Sequence, residues 1–314
     1  MYPIQFENLY YEKIWGGRAL EKIRQNLPSG NIGESWDVAL HPNGTSVVAN
    51  GSDKGKTFGE IIATYQELLL GTKVTAATFP LLVKVITADE NLSIQVHPGD
   101  EYAQEHENQL GKTEAWYVLA ADEGAELIIG VKPGCEQDYQ TALTIGTDLL
   151  PYLNRVRVTV GDCFLIPNGC VHAIGAGVTL LEIQQNSDVT YRLYDYGRPR
   201  EIHVQQGIAV TDFTVETHNA KMNPRQNYDG YSEKRLCENN YFIMEELVMT
   251  EKMMCTSTPE HFTILTCVAG HALLISDELT VNMTTGDSIL IPAALGDYQL
   301  QGASTIIRSY PNVG

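Results

Sequence analysis

Short apolar runs broken by turn residues dominate the chain. Leu81 to Thr87, Ala115 to Leu119, Glu126 to Gly130, Arg155 to Val160 and Val178 to Gln184 each read as a strand, with Gly, Asn, Asp and Pro between them. Many short strands with such punctuation predict a mainly β protein of the sandwich or barrel kind. Two segments carry a helical pattern instead. Thr57-Phe58-Gly59-Glu60 has the form of a capping box and opens an apolar-periodic run that stops at Leu70-Gly71. A second helix is expected from Glu201 to Phe213, after Arg198-Pro199-Arg200.

The pattern also repeats. Gly161-Asp162-Cys163-Phe164-Leu165-Ile166-Pro167 recurs 125 residues later as Gly286-Asp287-Ser288-Ile289-Leu290-Ile291-Pro292. Upstream, Trp116-Tyr117-Val118-Leu119 has a counterpart in Phe262-Thr263-Ile264-Leu265. A period of this length means a duplicated domain, since solenoid repeats run ~20–50 residues. Within each copy Gly-Asp makes the turn, apolar residues fill a strand, and Pro ends it. The expected division is a larger domain over 1–235 and a smaller one over 236–314.

The two copies differ where chemistry is possible. Five residues past Pro167 stands His172, whereas five past Pro292 stands Asp297. The first copy also has Gln95 and His97, which share a face of an extended Gln-Val-His stretch, and Glu114 just before the Trp116 strand. Imidazole nitrogens with a carboxylate suit Zn²⁺ or Fe²⁺ and are poor for Ca²⁺ or Mg²⁺. Gln95 is open between ligation and orienting a substrate. The other six histidines, His41, His106, His203, His218, His261 and His271, read as ordinary surface or core residues. One metal-competent copy and one degenerate structural copy are therefore expected.

Composition narrows the partners. The chain has 314 residues, is 43% hydrophobic, and carries a formal net charge of −18. So acidic a chain argues against nucleic acid and anionic membranes as partners, while a few local cations can still bind a small anion. Six cysteines without a C-x-x-C pair read as reduced thiols, and no signal-peptide or membrane-spanning pattern is evident, so a cytoplasmic location is expected. The oligomeric state is left open.

Leu92-Ser93-Ile94-Gln95-Val96-His97-Pro98, Gly111-Lys112-Thr113-Glu114 and the stretch from Gly161 to His172 together resemble the type I mannose-6-phosphate isomerases, in their short bacterial form. Trp15-Gly16-Gly17, Gly33-Glu34-Ser35-Trp36, the run from Glu182 to Arg192 and Tyr194-Asp195-Tyr196-Gly197-Arg198 extend the likeness over nearly the whole chain. The resemblance implies two cupin-type jelly-roll barrels, the first binding metal and the second degenerate. It implies one zinc per chain on Gln95, His97, Glu114 and His172, with Lys112 and Arg192 lining the site of a sugar phosphate. The implied reaction interconverts mannose 6-phosphate and fructose 6-phosphate through an enediol. Ser93 is a candidate phosphate donor. The base that takes the carbon-bound proton is open among Glu182, Asp188, His97 and Lys112, and Trp15, Glu34 and Trp36 read as packing residues. An iron-dependent cupin dioxygenase and a non-catalytic sugar-binding cupin are the competing readings.

Overall fold

The computed structural model describes residues 1–75 and 79–314. Antiparallel sheets dominate it. In the first half, a six-stranded sheet runs in the order 163–166, 114–121, 178–185, 81–88, 32–38, 9–17. A five-stranded sheet runs 153–157, 126–131, 172–174, 94–96, 191–194. The two pack on a core that includes Trp116, Val118, Ile86, Leu127, Ile129, Phe164 and Leu180.

Strands Leu81–Ala88 and Val178–Gln185 are buried along their whole length. Their side chains alternate between two cores. Leu81, Val83, Val85, Leu181 and Ile183 pack outward, against Phe58 and Ile61 of the helix Phe58–Tyr65 and against Phe242, Phe262 and Ile264 of the second half. The opposite row holds Lys84, Ile86, Leu180 and Glu182. Burial on both faces leaves the period-2 pattern hidden in largely apolar runs, in which Lys84 and Glu182 are the only charges.

The second half supplies nine strands of a ten-stranded sheet around a separate core of Leu247, Leu265, Ala272, Leu274, Met283, Ile289, Leu300 and Ile306. The strand Ile4–Gln5 joins it, pairing Ile4 with Leu290. Arg24 ties the halves further: its Nη2 donates to both oxygens of buried Asp37, and its Nη1 donates to the Gly286 carbonyl.

The capping box forms as read: Thr57 N–H donates to Glu60 Oε2 at 2.7 Å, and Glu60 N–H to Thr57 Oγ1 at 3.3 Å. The helix ends at Tyr65, and a separate turn, Glu67–Leu70, follows Gln66 at φ 44°. The second expected helix is shorter, Val204–Val210. The strand expected at Arg155 to Val160 spans Leu153–Arg157, since the following residues form the Thr159–Asp162 turn. Helices Asp100–Glu107 and Glu136–Ile145 escaped the sequence reading. The first buries only Ala103, so no apolar stripe announces it. Four cysteines are buried, Cys135 and Cys255 are half-buried, and all six are free thiols.

Candidate metal centre and active site

Strand register brings the candidate ligands together. On the five-stranded sheet, Gln95 lies opposite His172 on one side and Arg192 on the other. Across the core, Glu114 opens the strand Glu114–Ala121 and pairs with Gln184 and Ile166. His97, Glu114 and His172 are fully buried, and one donor atom from each lies within 4.8 Å of the others. Among the described residues this is the one group of three such side chains so arranged.

The group has the chemistry of a cation site. His97 Nδ1–H donates to the Val189 carbonyl at 2.8 Å, and His172 Nδ1–H to the Cys170 carbonyl at 2.9 Å. Carbonyls only accept, so both tautomers are fixed and both Nε2 lone pairs face the centre. Each Nε2 stands 3.5 Å from a Glu114 oxygen, acceptor against acceptor. Glu114 Oε1 is buried without a hydrogen-bond partner. Burial, then the Lys112 charge, pushes the His97 pKa down to about 3, and burial lowers that of His172. Burial would raise the Glu114 pKa, but Lys112 and His97 hold it well below the usual carboxylate range. Two neutral imidazoles and a carboxylate fit a divalent ion such as zinc. The half-buried Gln95 amide nitrogen lies 3.2 Å from His172 Nε2 and donates to it, so Gln95 would join the set only with its amide turned to present the oxygen.

A cavity of about 290 Å³ opens over this centre. Lys112 is buried, with Nζ bonded to Glu114 Oε2 and 3.2 Å from His97 Nε2. It stands just before the strand and still meets Glu114, as an extended spacing of two requires. Glu182 is buried, 3.5 Å from Lys112 and 3.0 Å from Lys84, and accepts from the Trp116 indole at 2.8 Å. Ser93, also buried, lines the cavity with Arg192. Asp188 is at the exposed rim, accepting from Asn43 Nδ2 at 3.0 Å, so it and Glu182 occupy different depths of the site.

Several cavity residues were missed in the sequence. Lys84 is buried and reaches both Glu182 and, at 4.0 Å, Glu34. Burial would lower the Lys84 pKa, but Glu182 and Glu34 outweigh it and raise it. Glu34 is therefore more than packing: it takes Lys13 at 2.9 Å and the Trp36 indole at 2.8 Å. Burial would raise its pKa, yet Lys84 and Lys13 hold it at about 2. Arg200 and His203 complete the wall beside Arg192. The signal for Lys84 and Glu182 was a charge inside an otherwise apolar strand, and their cross-strand register makes them a pair.

A jelly-roll core with a buried two-histidine, one-carboxylate group beneath a cavity lined by five cations and three carboxylates defines a cupin-type protein with a candidate metal centre. The sequence pattern of the phosphomannose isomerase type I catalytic domain matches residues 4–134, and that of the mannose-6-phosphate isomerase cupin domain matches 232–311. Mannose-6-phosphate isomerase ManA of Bacillus subtilis is 37% identical over 98% of both chains. The mannose-6-phosphate isomerase of Streptococcus mutans is 35% identical over 99% of this chain and 98% of its own. A solved mannose 6-phosphate isomerase from Bacillus subtilis superposes with a TM-score of 0.91 at 34% identity, covering 98% of this chain and 99% of that one. The chain belongs to the type I phosphomannose isomerase family.

Proposed function

We propose that the protein is a mannose-6-phosphate isomerase that works with one zinc per chain and passes through an enediol. The observation that carries this reading is the convergence of His97 Nε2, His172 Nε2 and the unpartnered Glu114 Oε1, buried beside a cavity whose lining includes Gln95, Lys84, Lys112, Arg192 and Arg200. His97, Glu114 and His172 would hold the ion, with Gln95 as fourth donor. Zinc bound there would polarise sugar oxygens and lower the energy of a developing oxyanion.

The reaction moves a proton from C2 to C1. Lys112 and Glu182 are buried at the depth of the metal centre, so proton transfer at carbon or oxygen falls to that pair or to Asp188 at the rim. Arg192, with Ser93 beside it, suits the phosphoryl group or an enediolate oxygen. In this reading residues 1–235 carry the chemistry and 236–314 support them, in the cytoplasm. Among the described residues no helix is long and apolar enough to cross a membrane.

A coupled assay for fructose 6-phosphate tests the reading. Mannose 6-phosphate should be converted, with the activity lost on chelation and restored by zinc. Oxygen uptake instead of isomerisation would favour an iron dioxygenase. Zinc and sugar binding without turnover would leave a non-catalytic cupin.

A further inference from the structure

The strand Tyr191–Tyr194 runs from the cavity wall into a tight turn. Arg198 N–H donates to the Asp195 carbonyl at 3.0 Å, with Tyr196 at φ 54° and Gly197 at φ 79°. Two successive left-handed residues reverse the chain sharply. A tyrosine tolerates that conformation poorly, so the surroundings must hold it there. Its ring lies under the Arg198 guanidinium, 5.8 Å from centroid to carbon.

The reversal folds Arg198 and Arg200 back over the Asp195 carboxylate, which is 3% exposed. Arg198 is held mainly elsewhere, by Glu90 at 2.7 Å and the Asn91 carbonyl at 2.8 Å. Arg200 takes the carboxylate as a fork: Nε donates to Oδ2 at 2.6 Å and Nη2 to Oδ1 at 2.7 Å. This leaves Nη1 of Arg200 without a protein partner among the described residues, on a side chain that lines the cavity. Arg192 lines the same wall. Its Nε is buried and unpartnered, and no carboxylate lies within ion-pair distance of it among the described residues. Arg192 donates through Nη1 to the Glu201 carbonyl at 3.0 Å, a neutral partner, so it has no carboxylate of its own, and the one buried carboxylate nearby is taken by Arg200; an anion in the cavity would balance the charge left on this wall.

We propose that Asp195 is a positioning residue: it locks Arg200 so that the free edge of its guanidinium, together with Arg192, grips the phosphoryl group of the substrate. The proposal rests on the sugar-phosphate reading above. A phosphoryl group offers three oxygens, so it can take two guanidinium groups at once.

The test uses Asp195→Asn and Arg200→Lys in the zinc-loaded protein, with inorganic phosphate as the probe. Both variants should raise KM for mannose 6-phosphate and the inhibition constant of phosphate by about 10-fold, the loss of one charge-assisted contact, while kcat stays within about 3-fold. Zinc content should be unchanged. A folded Asp195→Asn protein with unaltered KM and phosphate inhibition overturns the proposal, as does a fall in kcat at constant KM. If Asp195→Asn does not fold, Asp195→Glu, which keeps the carboxylate but displaces the fork, replaces it and should show the same rise, while Arg200→Lys, which keeps the charge but loses the fork, tests the grip itself; an unaltered KM in Asp195→Glu overturns the proposal. If the unmutated protein binds phosphate by calorimetry but converts no mannose 6-phosphate, the isomerase reading fails. The anion grip then stands or falls on whether Arg200→Lys weakens that binding.

Discussion

The turns at Thr159–Asp162 and Thr284–Asp287 share a single geometry. Thr159 N–H donates to Asp162 Oδ2 at 2.7 Å, and Thr284 N–H to Asp287 Oδ2 at 2.7 Å. Val118 N–H donates to the Asp162 carbonyl and Cys267 N–H to that of Asp287, each at 2.9 Å. Gly161 and Gly286 both have positive φ, 86° and 100°, which is why glycine precedes each aspartate. The strands that follow pair alike: Ile166 lies opposite Glu114, and Ile291 opposite Thr263. So Thr263 occupies the place of Glu114 and Leu265 that of Trp116, three residues away from the Phe262 counterpart expected from the sequence, where apolar residues on both strands hide the register. Asp297, in the place of His172, is exposed and accepts from Thr256, whereas His172 is buried. Backbone hydrogen bonds preserve the duplicated scaffold, while a metal centre needs particular donor atoms at a few positions. Thr256 in turn lies opposite Asp297 where Gln95 lies opposite His172, so none of these donors is kept and the second copy retains only the scaffold.

The largest expected effect breaks the copy that holds the ligands. His172→Ala should abolish stoichiometric zinc, read by elemental analysis, and cost at least ~10²-fold in turnover, because only one imidazole would remain. Zinc retained in that variant would mean the metal sits elsewhere.

Arg192→Ala comes next. Charge-assisted hydrogen bonds are worth ~1.5–3 kcal/mol, so kcat/KM should fall by at least ~10-fold with zinc still bound. A rise in KM alone would mark a phosphate grip, and a fall in kcat an enediolate contact. Near-normal kinetics would remove Arg192 from the site.

Acid should destabilise the metal-free first copy. Burial holds the His97 pKa at about 3 and that of His172 below its ordinary value, whereas in the unfolded chain both titrate near pH ~6.5. Below that pH the unfolded chain binds more protons, so stability is full above pH ~6.5 and falls as the pH drops toward 3. The depressed Glu34 adds the same sign below its ordinary pKa, down to about 2. Melting of chelator-treated protein should move down by several degrees between pH 8 and pH 5. A flat profile would contradict the buried neutral imidazoles.

Asp297→Ala should do least. Zinc content should be unchanged and turnover within a few-fold, because Asp297 lies on the surface of the second copy. A marked loss of zinc would show that the two copies share the metal after all.

Much of this was legible before any fold was known. The strand segments, the capping box at Thr57 and the duplicated Gly-Asp turn are local, set by backbone conformation and neighbours one to four residues apart, so the sequence carries them openly. The asymmetry of His172 against Asp297 could be read by simple alignment of the two copies. The short helix Asp100–Glu107 could not, because it buries only Ala103, and Glu136–Ile145 shows no more than the short set Tyr139, Ala142 and Leu143 among polar residues.

The sequence by itself determined a mainly β chain with two related halves, one of them carrying imidazole and carboxylate donors. Only the tertiary structure decided which charges meet. Lys84 reaches Glu182 because their strands pair in register, Glu34 approaches from a third strand, and Arg200 is aimed by Asp195 through a turn with two left-handed residues. Strand pairing joins Lys84 to Glu182 across 98 positions, and a register shift of one would turn either side chain to the opposite face.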